Sequence, residues 1–329
     1  MTQGASPIPD QPNLNEPIFS DWTWHKRLRR RLIAPLYRIS DTGLFGLTPL
    51  RIHILICGYQ RSGTTLLQAM LEHALPHARR FGKEFEGWRA ATYSWRNHAV
   101  MISKVPNDLF QLHRVRNFYQ GRQAKLRTIL VIRDPRDVLT SKHSATRVGD
   151  YVQNPVEWRK FHTYFRLYCN DPDVLVVRYE QLVTDTSGTQ ARIEAFIGEK
   201  VERRFEDFHQ ELRDDFDTRH LNGVRPVDRS HVGRWALPEH RDRIEGLLLR
   251  EIPDLCQILV ELGYEPDESW VQRWQFDHAA KTVATAASSA AGFPNSASVS
   301  AQTDQHLEEA WRSGYCGLRH TSSPVSVRG

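Results

Sequence analysis

Cysteine is scarce in this chain, and the four present (Cys57, Cys169, Cys256 and Cys316) stand far apart. No C-x-x-C pair occurs, which excludes the common zinc-ligand spacing and a disulfide framework; free or buried thiols in a reducing compartment are expected. No stretch approaches the roughly 18 apolar residues of a spanning helix. The opening MTQGASPIPDQPNLNEP lacks the charged start and apolar core of a signal peptide, so a cytoplasmic protein is expected. No internal repeat is found. Neither sign of charge dominates: the net charge is +5 and the pI about 9.1. The basic residues are scattered and no recognition motif accompanies them, which argues against nucleic acid. A mild basic excess suits an anionic ligand or a membrane surface.

What is present is ordinary for a soluble protein, with 40% hydrophobic and 25% charged residues. A chain of 329 residues accommodates one domain of about 200–250 residues plus tails. Residues 1–20, rich in Pro, Asn and Gln, read as a disordered tail. Residues 21–48 form a basic helical segment in which Trp22, Trp24, Leu28, Leu32 and Ile33 alternate with Lys26, Arg27, Arg29, Arg30 and Arg31. Over 21–39 this pattern fits a helix lying peripherally on an anionic membrane. It also fits a helix docked on the domain with its charged face in water, the reading that Pro35 favours by cutting the helix short. The folded domain is expected over 49–276. Beyond it, 277–329 is largely low-complexity Ala/Ser sequence with little to pack.

Short apolar runs at Ile52–Ile56, Val100–Ser103, Thr128–Ile132 and Val174–Val177 read as strands. Helical stretches separate them, which predicts crossover units and a mainly parallel sheet. Asn154-Pro155-Val156-Glu157 is a helix start, followed by core positions at Trp158, Phe161, Phe165 and Leu167–Tyr168. Leu255, Ile258, Leu259 and Leu262 run at helical spacing and stop at Gly263.

Residues 52–71, IHILICGYQRSGTTLLQAML, carry the strongest signal. A buried strand ends at Gly58, a polar loop follows, and a helix begins near Thr64, a geometry that aims free N–H groups at an anion. The Gly58–Gly63 spacing matches the Walker pattern, yet Thr64 stands where that pattern requires Lys. Arg61 supplies the positive charge instead, and Ser62, Thr64 and Thr65 offer hydroxyls. A second constellation is Thr128–Ser141, TILVIRDPRDVLTS. Its strand delivers Arg133 to the carboxyl end, where ligands of open sheets collect. A helix beginning near Arg136 places Ser141 on its early turns, within reach of the same phosphate. Alternatively, Arg133 pairs with Asp134 or Asp137.

Taken together these segments resemble the sulfotransferases that use 3′-phosphoadenosine 5′-phosphosulfate. GYQRSGTTLL is similar to their 5′-phosphosulfate loop, and Arg133-x7-Ser141 to their 3′-phosphate motif. VLVVRYEQLV (174–183) resembles their strand followed by Arg-Tyr-Glu-Asp-Leu. Arg229-Ser230-His231-Val232-Gly233-Arg234-Trp235 resembles the late Gly-x-Trp segment that wraps the 3′-phosphate. The similarity spans about 50–265 in the family's order. It implies a P-loop-like three-layer α/β fold, with a central, mainly parallel sheet flanked by helices. It also implies transfer of a sulfuryl group to an acceptor hydroxyl or amine.

On this resemblance Arg61, Ser62, Gly63, Thr64, Thr65, Arg133, Ser141, Arg229, Ser230 and Gly233 bind the donor. Fixed donors and a cation at the breaking bond stabilise its growing negative charge without requiring a metal. Arg61 stands where a Lys often contacts that oxygen, keeping the charge but changing its shape. A His base of the cytosolic small-molecule enzymes has no counterpart in Ile102-Ser103-Lys104-Val105-Pro106. Lys83-Glu84 instead resembles the Lys-Glu of carbohydrate sulfotransferases, which makes Glu84 the expected base, with Glu86 the alternative. Lys83 and Lys104 then hold charge near the reacting oxygens. His143, Trp88 and Trp95 carry weaker signals, and Glu180 is expected to pair or cap. Two other readings are a P-loop kinase or NTPase, with Asp134 as its carboxylate, and an inactive nucleotide-binding scaffold.

Overall fold

The apolar runs become one sheet in the computed structural model, which describes residues 43–93, 97–142, 151–212, 215–218, 221, 223–272 and 274, together with Leu28 and Leu32. The tails 1–20 and 277–329, most of the basic segment, Trp95 and His143 lie outside the described residues. Strands β1 (Ile52–Gly58), β2 (Val100–Lys104), β3 (Lys125–Ile132) and β4 (Val174–Arg178) are ordered β2-β1-β3-β4. Every pairing is parallel, with Ile56 opposite Lys104 and Gly58 opposite Val131. β3 starts earlier than the apolar run suggests. Exposed Lys125 and half-buried Arg127 alternate with buried Leu126, a pattern that an apolar criterion passes over.

Both faces of the sheet are covered, which is why β1 is buried along its whole length rather than alternating. Ile52, Ile54 and Ile56 point to one side. There they join Leu67, Met70 and Leu71 of α1 (Thr64–Ala74) in a single core cluster. On the other side lie α2 (Gly87–Tyr93) and α3 (Leu112–Tyr119). His53 faces that way and has each ring nitrogen 2.8 Å from a hydroxyl, Tyr119 on α3 and Ser103 on β2. A buried histidine satisfied in this manner is structural.

Beyond β3 come α4 (Pro135–Leu139) and α5 (Pro155–Tyr168). The side chain of Asn154 caps α5 by accepting from Val156 N. Trp158, Phe161, Phe165 and Tyr168 are buried at helical spacing, whereas Leu167 falls off that face and is 47% exposed, against the expectation that it packs. After β4, α6 (Tyr179–Thr184) and α7 (Thr186–Ile197) follow, and Ile193 and Ile197 join the cluster of α1.

The described chain forms two compact units that divide after Arg234. The second contains α8 (Arg241–Gly246) and α9 (Leu255–Glu261) and buries Ile244, Leu247, Leu255 and Leu259. Within it Trp235 meets Trp270 edge to face at 5.7 Å, and Gly263, at φ +69°, follows the end of α9. No helix among the described residues is long and apolar enough to cross a membrane.

Candidate active site

Strand order positions the site. β1 connects onward to β2 on one side and β3 to β4 on the other, so their carboxyl ends flank the switch point of the sheet. Gly58 closes β1 there, and no other residue fits: a Cβ would sit 2.0 Å from the Val131 carbonyl oxygen. The loop then turns through Arg61, at φ +66° the sole described non-glycine residue with positive φ, to Gly63 at φ +86°. A Cβ on Gly63 would lie 2.5 Å from the Tyr179 ring. α1 begins at Thr64 with no side chain capping it, which leaves first-turn N–H groups for an anion.

Ser62 departs from expectation. Its hydroxyl is buried and directed at the carbonyls of Tyr59 (2.5 Å) and Val131 (3.0 Å), so it braces the loop rather than facing a ligand. Thr65 faces the other way, and its Oγ1 accepts from Lys104 Nζ at 3.0 Å. Lys104, at the end of β2, is 1% exposed and also donates to Glu84 Oε1 at 2.9 Å. Phe85 N donates to the Lys104 carbonyl at 3.1 Å, which fixes the 84–85 segment beside the strand end. Glu84 itself is half exposed. Lys83 is exposed, and its carbonyl accepts from Gln68. Glu86 pairs with Arg89 at 3.2 Å, and burial raises its carboxyl above the usual range.

At the end of β3 the Arg133 guanidinium lies 4.5 Å from the centre of the Tyr179 ring. It donates to the carbonyl of Arg61 (3.3 Å), to Asp137 Oδ2 (3.2 Å) and to the carbonyl of His231. The pairing with Asp137 is therefore present, but it leaves Arg133 Nε buried with no partner among the described residues. Asp137 Oδ2 also accepts from Gly233 N at 2.9 Å, which ties the 229–233 segment to this strand end. Ser141 lies past the end of α4 rather than on it. Thr140 takes the C-cap and returns its hydroxyl to the Arg136 carbonyl at 2.7 Å. Ser141 Oγ accepts from Arg61 Nε at 3.1 Å.

Arg229 is engaged at the end of α6. It donates to the carbonyls of Val183 (3.1 Å) and Thr184 (2.9 Å), satisfying the open end of α6. Ser230 is exposed, and its N–H goes to Asp228 at 2.8 Å. Asp134 accepts from Arg136 N at 2.8 Å and pairs with the Arg136 side chain at 2.7 Å, so it is committed to starting α4. Glu180 accepts from Asp134 N at 2.8 Å; burial pushes its carboxyl up to about 7, against the lowering effect of that hydrogen bond. Tyr179 and His231, although inside segments quoted from the sequence, are not singled out there as site residues. Tyr179 alone had a signal, its place directly after β4, where it touches both Gly63 and Arg133.

A glycine loop opening into a helix at the switch point of a parallel sheet defines a P-loop-like α/β protein. The model of the sulfotransferase domain matches residues 51–223, more than half of the chain, and the chain belongs to the sulfotransferase family. Among solved structures, the sulfotransferase domain from the Synechococcus PCC 7002 olefin synthase is 17% identical, with a TM-score of 0.47, covering 67% of this chain and 96% of its own. The sulfotransferase domain from the curacin biosynthetic pathway is 16% identical, with a TM-score of 0.42 and coverage of 67% and 99%. Mouse sulfotransferase SULT7A1 complexed with PAP is 14% identical, with a TM-score of 0.35 and coverage of 65% and 89%. Comparison with curated proteins gives no match.

Proposed function

We propose that this enzyme transfers the sulfuryl group of 3′-phosphoadenosine 5′-phosphosulfate to the hydroxyl of a carbohydrate, a glycolipid or another small metabolite. The observation that carries the reading is Lys104, whose ammonium touches both Thr65 of the loop and Glu84. One buried cation thereby joins the donor loop to a half-exposed carboxylate, which is what activation of an acceptor beside a leaving group requires. The residues fit such a donor. Gly58 and Gly63 leave backbone room that a Cβ would fill, and Arg133 has a buried Nε with no partner among the described residues. When bound, the donor supplies an activated sulfur whose bond to the nucleotide oxygen breaks as the bond to the acceptor oxygen forms.

In this reading Glu84 takes the acceptor proton, and Lys104 holds charge at the oxygen that leaves. The loop N–H groups and Thr65 receive the 5′-phosphosulfate, while Arg133, Ser141 and Gly233 serve the 3′-phosphate. Glu86 is the weaker base, being engaged by Arg89. The kinase reading loses its carboxylate, since Asp134 is spent on Arg136. Glu84→Gln should lower transfer of labelled sulfate by about 100-fold or more while leaving affinity for adenosine 3′,5′-bisphosphate within about twofold. Near-normal turnover would remove Glu84 from the mechanism.

A further inference from the structure

We infer that Gln68 and Glu72, two buried polar residues of α1, are positioning residues that set where Glu84 stands relative to the donor loop. The inference rests on the assignment of Glu84 as the base. Thr65, Gln68 and Glu72 recur at helical spacing and so share one side of α1. Thr65 accepts from Lys104, and the other two reach the segment that carries Glu84. Gln68 Nε2 donates to Glu72 Oε1 at 2.8 Å and to the Lys83 carbonyl at 3.4 Å. Glu72 Oε1 also accepts from Gly82 N at 3.4 Å, and the Glu72 carbonyl accepts from Arg80 Nη1 at 2.7 Å. The two residues before Glu84 are thus bonded to this pair. After Glu84 the chain is tied to the strand instead, through Phe85 N and the Lys104 carbonyl. The base is held between the helix that opens at the donor loop and the strand that ends in Lys104.

Stability alone gives no reason for the pair. Gln68 and Glu72 are each 2% exposed, in a helix whose Leu67, Ala69, Met70 and Leu71 are also buried. A carboxylate in such a place costs free energy that its hydrogen bonds offset at best in part, and an apolar residue of similar volume is often as stabilising. What polar groups add is a requirement: they are satisfied only when 82–83 lies in one position. The segment is shaped for that position. Gly82 turns at φ +67°, where a Cβ would lie 2.8 Å from the Asp215 carbonyl oxygen, and its carbonyl accepts from Asp217 N at 2.6 Å. Glu84 follows two residues later with a half-exposed side chain, so where its carboxylate reaches depends on this backbone and on Lys104. A displacement of about 1 Å at a reacting group can cost about 100-fold in rate.

The test follows release of labelled sulfate from 3′-phosphoadenosine 5′-phosphosulfate on the full chain, with water taking the place of the acceptor hydroxyl. Gln68→Met and Glu72→Met keep the volume and remove the bonds. Each should lower kcat by about tenfold or more, while KM for the donor and affinity for adenosine 3′,5′-bisphosphate stay within about twofold. The double variant should lose little beyond either single one. Glu72→Gln retains an acceptor for Gln68 and Gly82, and should recover kcat to within about threefold of the wild type. A merely structural pair would shift the urea midpoint and leave kcat unchanged. Unchanged kcat in both Met variants would overturn the inference, as would loss of bisphosphate affinity, or Glu72→Gln no better than Glu72→Met. If a Met variant does not fold, Gln68→Asn, which shortens the donor by one methylene, is read by the same comparison of kcat with affinity. Glu84→Gln is the control: if it leaves sulfate release at the wild-type rate, the base assignment falls, and the inference with it.

Discussion

Gly63 shows how narrow the tolerance of this site is at the scale of one residue. Its φ of +86° disfavours any side chain, and the Tyr179 ring occupies the place where a Cβ would go. Tyr179 also carries Arg133 on its face, so a shift of the ring moves the other half of the site. Gly63→Ala should therefore lower stability by about 1–3 kcal/mol and weaken nucleotide binding as well. An unchanged urea midpoint would contradict the packing described. The spacing of Gly58 and Gly63 made the loop legible in the sequence, because glycine has few other reasons to recur there. The direction of each polar side chain was not legible. Ser62 turns inward to carbonyls, and Arg61 bonds a serine 80 positions away. Such choices depend on partners that local pattern does not reveal.

At the scale of elements, the strands were readable from their apolar runs, and their helices from spacing and caps. Element ends were less so. Ser141 falls beyond α4 because Thr140 closes that helix, and Arg229 turns to the open carbonyls of α6. Asp108 is a further device of this kind. Fully buried, it accepts from Gly87 N at 2.8 Å at the start of α2, directly after the segment that carries Glu84 and Glu86. Burial first, then the charges of Glu86 and Glu84, push its carboxyl up to about 8 against the effect of the Gly87 bond. Because the folded pKa exceeds the unfolded value, its contribution is complete below about pH 4 and is lost as pH rises through about 8. Relative to Asp108→Asn, the wild type should lose up to about 1.4 kcal/mol per pH unit between pH 5 and 8. Urea denaturation at three pH values in that range measures this, and parallel curves would contradict a proton held on Asp108.

At the scale of the whole molecule, a short parallel sheet places the loop after β1 and the end of β3 side by side where its connections diverge. The loop after β1 and the strand end of β3 meet through Arg61, Arg133 and Ser141, and β2 brings Lys104 and Glu84 to the same edge. A triphosphate has no group for the end of β3, whereas a nucleotide with a separate 3′-phosphate does. The net charge of +5 agrees with an anionic ligand but does not select one. The most direct measurement is thermal stabilisation by adenosine 3′,5′-bisphosphate against ATP with Mg2+, in the wild type and in Arg133→Ala. A clear rise in Tm with the bisphosphate is expected, larger than with Mg-ATP and lost in Arg133→Ala. A larger rise with Mg-ATP, or a bisphosphate effect that survives loss of Arg133, would contradict it.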